Sequence, residues 1–231
     1  MKITYINHSG FIAEDAESAL VIDCCGLKKD STKLRECAGK RLYVLASHIH
    51  GDHFDRQIMS YTGAEVKWIL SSDIQKKVSP GEGIHFLTKG DEYRDAQVAI
   101  KAYGSTDEGV SFYIETGGKK IFHSGDLNNW HWNEEDTAEN AARSEKMFLE
   151  ELALIAKDVS SLDALMFPVD SRLGKDYTRG AEQFLDSIKT GLFIPMHFWD
   201  DVKSARAFKS IAEQKGCRFA DINASGDVFE V

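Results

Sequence analysis

The chain opens on short runs in which apolar and polar positions alternate, the period of a half-buried strand. Lys2–Asn7, Phe11–Ala13 and Ala19–Asp23 read as strands joined by tight turns. Arg41–Ser47 continues the pattern. Phe54–Tyr61 opens a helix, and Glu65–Leu70 is a further strand. Pro80-Gly81-Glu82-Gly83 interrupts the pattern. Gln97–Tyr103, Val110–Glu115 and Lys120–His123 form a meander, with Thr116-Gly117-Gly118-Lys119 as a hairpin turn.

A polar loop then runs from Leu127 to Asn140. The period changes to helical over Ala141–Val159, where Met147, Leu149, Leu152 and Ile155 read as core positions. The last third alternates strand and helix. Leu165–Val169, Leu192–Met196, Cys217–Ala220 and Val228–Val231 read as strands, with Arg179–Ile188 and Val202–Gln214 as helices. Meanders together with several helices predict an α/β (α+β) fold with helices outside the sheets. No linker or low-complexity tract divides the 231 residues, so residues 1–231 read as a single domain.

Composition narrows the function. The chain is 42% hydrophobic and 28% charged, ordinary for a globular protein. A net charge of -9 argues against a protein that lives on nucleic-acid phosphates. No apolar run approaches the ~18 residues of a membrane span. The first residues lack the apolar segment of a signal peptide, so a cytoplasmic location is expected. Cys24, Cys25, Cys37 and Cys217 have no C-x-x-C spacing and read as free thiols in a reducing compartment.

The chemistry concentrates in His48-Ile49-His50-Gly51-Asp52-His53, directly after the apolar run 42–46. Core packing has no use for three imidazoles and a carboxylate in six residues, whereas a metal ion does. Extended, His48 and His50 face one way and can share one ion. Asp52 and His53, where the chain turns, can serve a second. Imidazole with carboxylate suits zinc, iron or manganese. Two further candidates stand at strand ends: Asp126, after Gly125, and His197, after Pro195-Met196. His8 reads either as a turn histidine or as an extra ligand, and Asp170 ends a strand near the same edge. His123 reads as a partly buried strand residue, and His85 as an ordinary one. Trp130, His131 and Trp132 are candidates for a substrate mouth. The acidic run 134–136 reads as a solvated face.

The H-x-H-x-D-H cluster, a later Gly-Asp at a strand end and a late strand-end histidine resemble the metallo-β-lactamase fold superfamily. His8-Ser9-Gly10-Phe11 and Pro195-Met196-His197 resemble its lactonase-like metal-dependent hydrolases. The resemblance implies a four-layer αββα sandwich with the site at one edge of the sheets. It implies His48 and His50 on a first metal, Asp52, His53 and His197 on a second, Asp126 bridging, and a metal-bound hydroxide as nucleophile. Asp52 then orients the nucleophile or shuttles its proton, as the catalytic residue. One departure stands out. The superfamily usually supplies another histidine about where Tyr103-Gly104-Ser105-Thr106-Asp107 stands here. The first metal is then completed by water, or helped by His8 or Asp170, or the site holds a single ion at Asp52, His53, Asp126 and His197.

The expected activity is hydrolysis of a small ester, lactone or phosphodiester, with one or two zinc ions, manganese or iron being alternatives. The expected partner is a small-molecule substrate rather than nucleic acid or membrane, with homo-oligomerisation left open. A non-catalytic metal-binding or ligand-sensing protein on the same fold is the alternative from another class, and a nuclease variant is a third reading. A flavodiiron-type redox role is disfavoured, because those proteins resemble H-x-E-x-D and His50 stands at the second position here.

Overall fold

Each half of the chain builds its own sheet, first by hairpins and then by helical crossovers. The computed structural model describes residues 1–27, 32–61 and 65–231. In the first half β1 (Lys2–Asn7), β2 (Gly10–Glu14) and β3 (Ser18–Ile22) form an antiparallel meander. After α1 (Thr32–Glu36), strands β4 (Arg41–Ala46), β5 (Val66–Ser71) and β6 (Ile84–Leu87) add in parallel.

The second half repeats the plan. β7 (Glu92–Arg94), β8 (Val98–Tyr103), β9 (Ser111–Thr116) and β10 (Lys119–His123) are antiparallel. Helix α2 (Ala138–Asp158) leads to β11 (Ser161–Pro168), and α3 (Arg179–Ser187) leads to β12 (Lys189–Met196). Helices α4 (Val202–Ala207) and α5 (Lys209–Gln214) lead to β13 (Arg218–Phe219), and these three strands are parallel. Parallel neighbours need long crossovers, which the helices provide. Strand β14 (Val228–Glu230) returns to pair with β1. Among the described residues each sheet thus has seven strands.

Burial explains the layering. Leu20, Ile22 and Leu45 of the first sheet meet Ile114, Ile121, Met166 and Ile194 of the second in a central core. Val21, Val44 and Leu70, on the opposite face of the first sheet, are covered by Leu34, Ile58 and Ile74. Phe122, Phe167 and Phe193, on the outer face of the second sheet, are covered by Phe148, Phe184 and Phe208 from the helical layer. Helical cover, sheet, sheet and helical cover give the four-layer αββα order. β3 is buried along its whole length because both its faces are covered.

Several elements differ from the sequence reading. In α2 the buried stripe is Ala141, Phe148, Leu152 and Ile155, whereas Met147 and Leu149 are 49% and 42% exposed. The latter two flank Phe148, so helical spacing placed the stripe one residue off at that turn. Phe54–Tyr61 contains only a 3-10 turn, Arg56–Ser60, capped by the Asp55 side chain on the Gln57 N–H. The helix over Val202–Gln214 divides at Phe208, where the backbone tightens to a Phe208 N–H bond with the Ala205 carbonyl. Strands β6 and β7 and helix α1 escaped the pattern because they are short and only partly buried.

Candidate metal centre

β4 stops at Ala46, and the next residues wind up instead of continuing extended. The N–H groups of His53 and Phe54 both bond the His50 carbonyl, at 3.2 and 2.8 Å. A turn, not the extended segment expected for His48 and His50, therefore brings their rings to 4.7 Å. The turn is tied down at both ends. Asp23 accepts from the Ser47 N–H and hydroxyl, and Asp73 accepts from the Ile49 N–H at 2.9 Å.

Gly109 lies against this turn at φ +70°, and a Cβ there would meet the Ser47 carbonyl and come within 2.5 Å of the His48 Cβ. Gly109→Ala is expected to lower the unfolding free energy by about 2 kcal/mol, from a left-handed backbone and a clash with main chain. Denaturant unfolding measures this, and a midpoint equal to the wild type's contradicts it.

Around the turn the predicted ligands gather. His48 Nε2 lies 3.4 Å from Asp126 Oδ2, and His53 Nε2 lies 3.1 Å from Asp126 Oδ1. His197 Nε2 is 3.6 Å from the same Oδ1. Asp126 thus faces three histidines from a turn after β10. On the other flank His8 Nε2 lies 3.4 Å from Asp52 Oδ2, and His8, Asp52, His53 and His197 form a compact ligand group. His50, exposed at the rim, groups with His48 and Asp52 and also with Asp107 and Asp126. Among the described residues these groups can hold a metal ion.

The donor set fits a cation on a direct observation. His8 Nε2, His48 Nε2, His53 Nε2 and Asp126 Oδ1 are all buried and have no hydrogen-bond partner. Leaving such atoms unpaired is costly. A cation between them would satisfy all of these lone pairs at once.

The rings are aimed by residues behind them. His53 Nδ1 is 2.8 Å from Asp23, and His197 Nδ1 is 3.0 Å from Asp170. Carboxylates on the far nitrogen fix the tautomer that presents Nε2 to the site. The Arg172 guanidinium holds Asp170 in turn, at 2.5 and 3.0 Å. Asp170 therefore stands behind His197 and is absent from the ligand groups. His123 is fully buried, not partly. Its Nε2–H donates to the Ser9 carbonyl at 2.8 Å, and its Nδ1 accepts from the Gly125 N–H at 3.1 Å. It joins the His8 turn to the Asp126 turn. Asp23 was missing from the sequence reading; an aspartate closing a buried apolar strand was its signal.

Charge follows this arrangement. Burial alone would lower His53, but the carboxylates of Asp126 and Asp23 on either side of the ring outweigh it and push its pKa up to about 11. Burial lowers His8 and His48, which keeps both imidazoles neutral and able to bind a cation. Burial raises Asp170, but His197 and Arg172 bring it down to about 2. The His8 ring beside it holds Asp52 well below the usual carboxylate range.

Backbone strain marks the same place. Among the described residues the non-glycine positions with positive φ are His8, Asp23, Trp132, His197 and Trp199, and all five surround the site. Such conformations collect where function over-determines the backbone.

A cavity of about 400 Å³ opens over the centre, lined in part by Asp52, Asp126, Trp130, Trp132, Arg172 and Trp199. Trp130 and Trp132 stack at 6.3 Å, and Trp130 donates its indole N–H to the Asp126 carbonyl. His131 does not line this cavity. It is buried, bonded to the Asp176 carbonyl and the Asn133 N–H, so one member of the predicted mouth is a loop brace. Trp199 and Arg172, unforeseen in the sequence, complete the wall, with the guanidinium 4.9 Å from the Trp199 ring.

Over its full length the chain is 24% identical to a UPF0173 metal-dependent hydrolase of Desulforamulus reducens, also covered completely. It is 26% identical to one from Nanoarchaeum equitans, with 99% of each chain covered. The solved structure of Igni18, a metallo hydrolase from Ignicoccus hospitalis, superposes with a TM-score of 0.67 at 20% identity, covering 100% of this chain and 98% of that one. Residues 2–142 match the family described as the beta-lactamase superfamily domain. With two packed sheets and its histidines and aspartates at one edge, the chain belongs to the beta-lactamase superfamily.

Proposed function

We propose that the protein is a metal-dependent hydrolase of a small ester, lactone or phosphodiester. The observation that carries this is the convergence of unpartnered Nε2 atoms of His48 and His53 with Asp126 Oδ1 beneath an open cavity. In this reading His48, His50 and Asp126 hold a first ion, and Asp52, His53, His197 and Asp126 a second, with His8 close to the latter. Zinc suits such nitrogen and oxygen ligands, as do manganese and iron. A divalent ion in this place supplies Lewis acidity, lowering the pKa of water to ~7 and polarising a carbonyl or phosphoryl oxygen.

The chain's own groups do the rest. Asp52 reaches the cavity as a carboxylate, placed to orient the attacking water or to shuttle its proton to the leaving group. Trp130, Trp132 and Trp199 offer flat apolar faces to a substrate body. Arg172 offers a positive charge beside them. A lining rich in carboxylates, with Arg172 the cation among these residues, favours a small substrate over a polynucleotide. No helix among the described residues is long and apolar enough to cross a membrane. The free cysteines support a cytoplasmic setting.

Elemental analysis with an activity screen tests this reading. Purified protein is expected to carry one or two transition-metal ions per chain. Hydrolysis of a model ester, lactone or phosphodiester should fall on chelation and return on reloading. Because the carboxylates beside His53 raise its pKa, an ion that binds there competes with a proton, and apparent metal affinity should rise with pH. Protein that binds no transition metal when supplied with one overturns the reading.

A further inference from the structure

We propose that Asp107 takes the place of the missing histidine at the first metal position, giving it two imidazoles and two carboxylates. This rests on the metal-dependent reading above. The ligand atoms of His50, Asp107 and Asp126 lie within 4.8 Å of one another, and Asp126 in turn faces His48 Nε2 at 3.4 Å, so the residue that closes the 103–107 segment shares Asp126 with His48. The buried His48 Nε2, which has no hydrogen-bond partner, faces Asp126 Oδ2 there. Asp107 itself is exposed at the rim and can approach from the solvent side.

The loop carrying Asp107 is built for the purpose. Glu151, buried on α2, accepts the Gly104 N–H at 2.6 Å and is ion-paired with Lys89. A side chain at position 104 would meet the Glu151 carboxylate, its Cβ at 2.9 Å, so the room for a histidine there is already taken. Beyond Gly104, the Thr106 hydroxyl donates to the Asn128 carbonyl at 2.6 Å and accepts the Asn128 N–H at 3.0 Å. Ser111 bonds the Gly104 carbonyl, and Ser105 accepts the Asp107 N–H. These bonds fix the backbone on both sides of the turn and deliver a carboxylate where an imidazole would otherwise come.

Exchanging nitrogen for charged oxygen changes which ion fits. Carboxylate-rich sites suit manganese, whereas imidazole-rich ones suit zinc. The first position therefore favours manganese or iron(II), and the second, richer in histidine, accepts zinc.

Calorimetric titration of metal-free protein with Mn²⁺ and with Zn²⁺ tests this, alongside Asp107→Asn and Asp107→His. Wild-type protein should take two Mn²⁺, with the coupled-pair signal of a dinuclear centre in electron paramagnetic resonance. Asp107→Asn should weaken one of the two Mn²⁺ sites by at least about tenfold and leave the other unchanged. Asp107→His should shift that site's preference from Mn²⁺ towards Zn²⁺. Thermal melting of the metal-free variants, expected to match wild type, reports that the fold is intact. Two sites of wild-type affinity in Asp107→Asn overturn the proposal while the hydrolase reading stands. A wild-type protein with one site, indifferent to Asp107, overturns it too. Wild-type protein that binds no ion removes both.

Discussion

Asp126→Asn should reduce both metal content and turnover, the latter on the order of 10³-fold. Losing a supporting contact at one metal position typically costs ~10–100-fold in affinity or activity. Asp126 faces His48 through one oxygen and His53 and His197 through the other, so its loss is felt at two positions together. Asparagine keeps the size and the fold but removes the negative charge that three imidazoles share. The comparison to make is kcat/KM with metal stoichiometry on the same preparation. A variant that keeps both its ions and its rate would sink the proposed ligand set. His50→Ala serves as a graded control, because His50 sits at the exposed rim whereas Asp126 is buried among three histidines.

Asp23→Ala is expected to be the most damaging single change away from the cavity. The side chain is fully buried and accepts from the Ser47 N–H at 2.7 Å, the Ser47 hydroxyl at 2.5 Å and His53 Nδ1 at 2.8 Å. His123 Nδ1 lies 3.8 Å away. Removing one partner from a buried charged network costs about 3–5 kcal/mol, because the remaining groups lose their compensation. For a chain of this length that corresponds to a melting temperature lower by roughly 10 °C. Metal-free protein is the right sample, since an ion at His53 would mask part of the loss. Calorimetry that finds the variant melting within about a degree of wild type would show that the network carries no such weight.

Much of the site was legible in the chain. His48, His50, Asp52 and His53 are sequence neighbours, and Asp126 and His197 stand at strand ends where a rigid sheet delivers side chains to one edge. What escaped depends on distance in sequence. Asp170 could be read as an extra ligand or as a support behind one, and the folded chain places it behind His197, at 3.0 Å. Asp23 looks like any strand-end carboxylate until β3 and β4 are seen side by side. His131 was grouped with Trp130 and Trp132 as a candidate for the substrate mouth, yet its ring bonds the Asp176 carbonyl on another loop. Among the larger elements, the paired meanders and crossovers followed from hydrophobic period and turn residues. The short β6, β7 and α1 did not, because a few partly buried residues carry too little period. Phe148 shows the limit of periodicity in a long helix: one residue of phase decides whether Met147 or its neighbour faces the core.

The five left-handed residues around the centre set a boundary for anyone engineering this protein. A non-glycine side chain in that conformation costs about 1 kcal/mol, so together they forgo a stability comparable to the lower end of what holds a domain folded. They are thus the positions that thermostabilising substitution by glycine would reach first. They are also His8, Asp23, His197 and two tryptophans of the cavity wall. Gains in melting temperature won there would trade against activity, so stabilising changes belong elsewhere, such as the exposed face of α2.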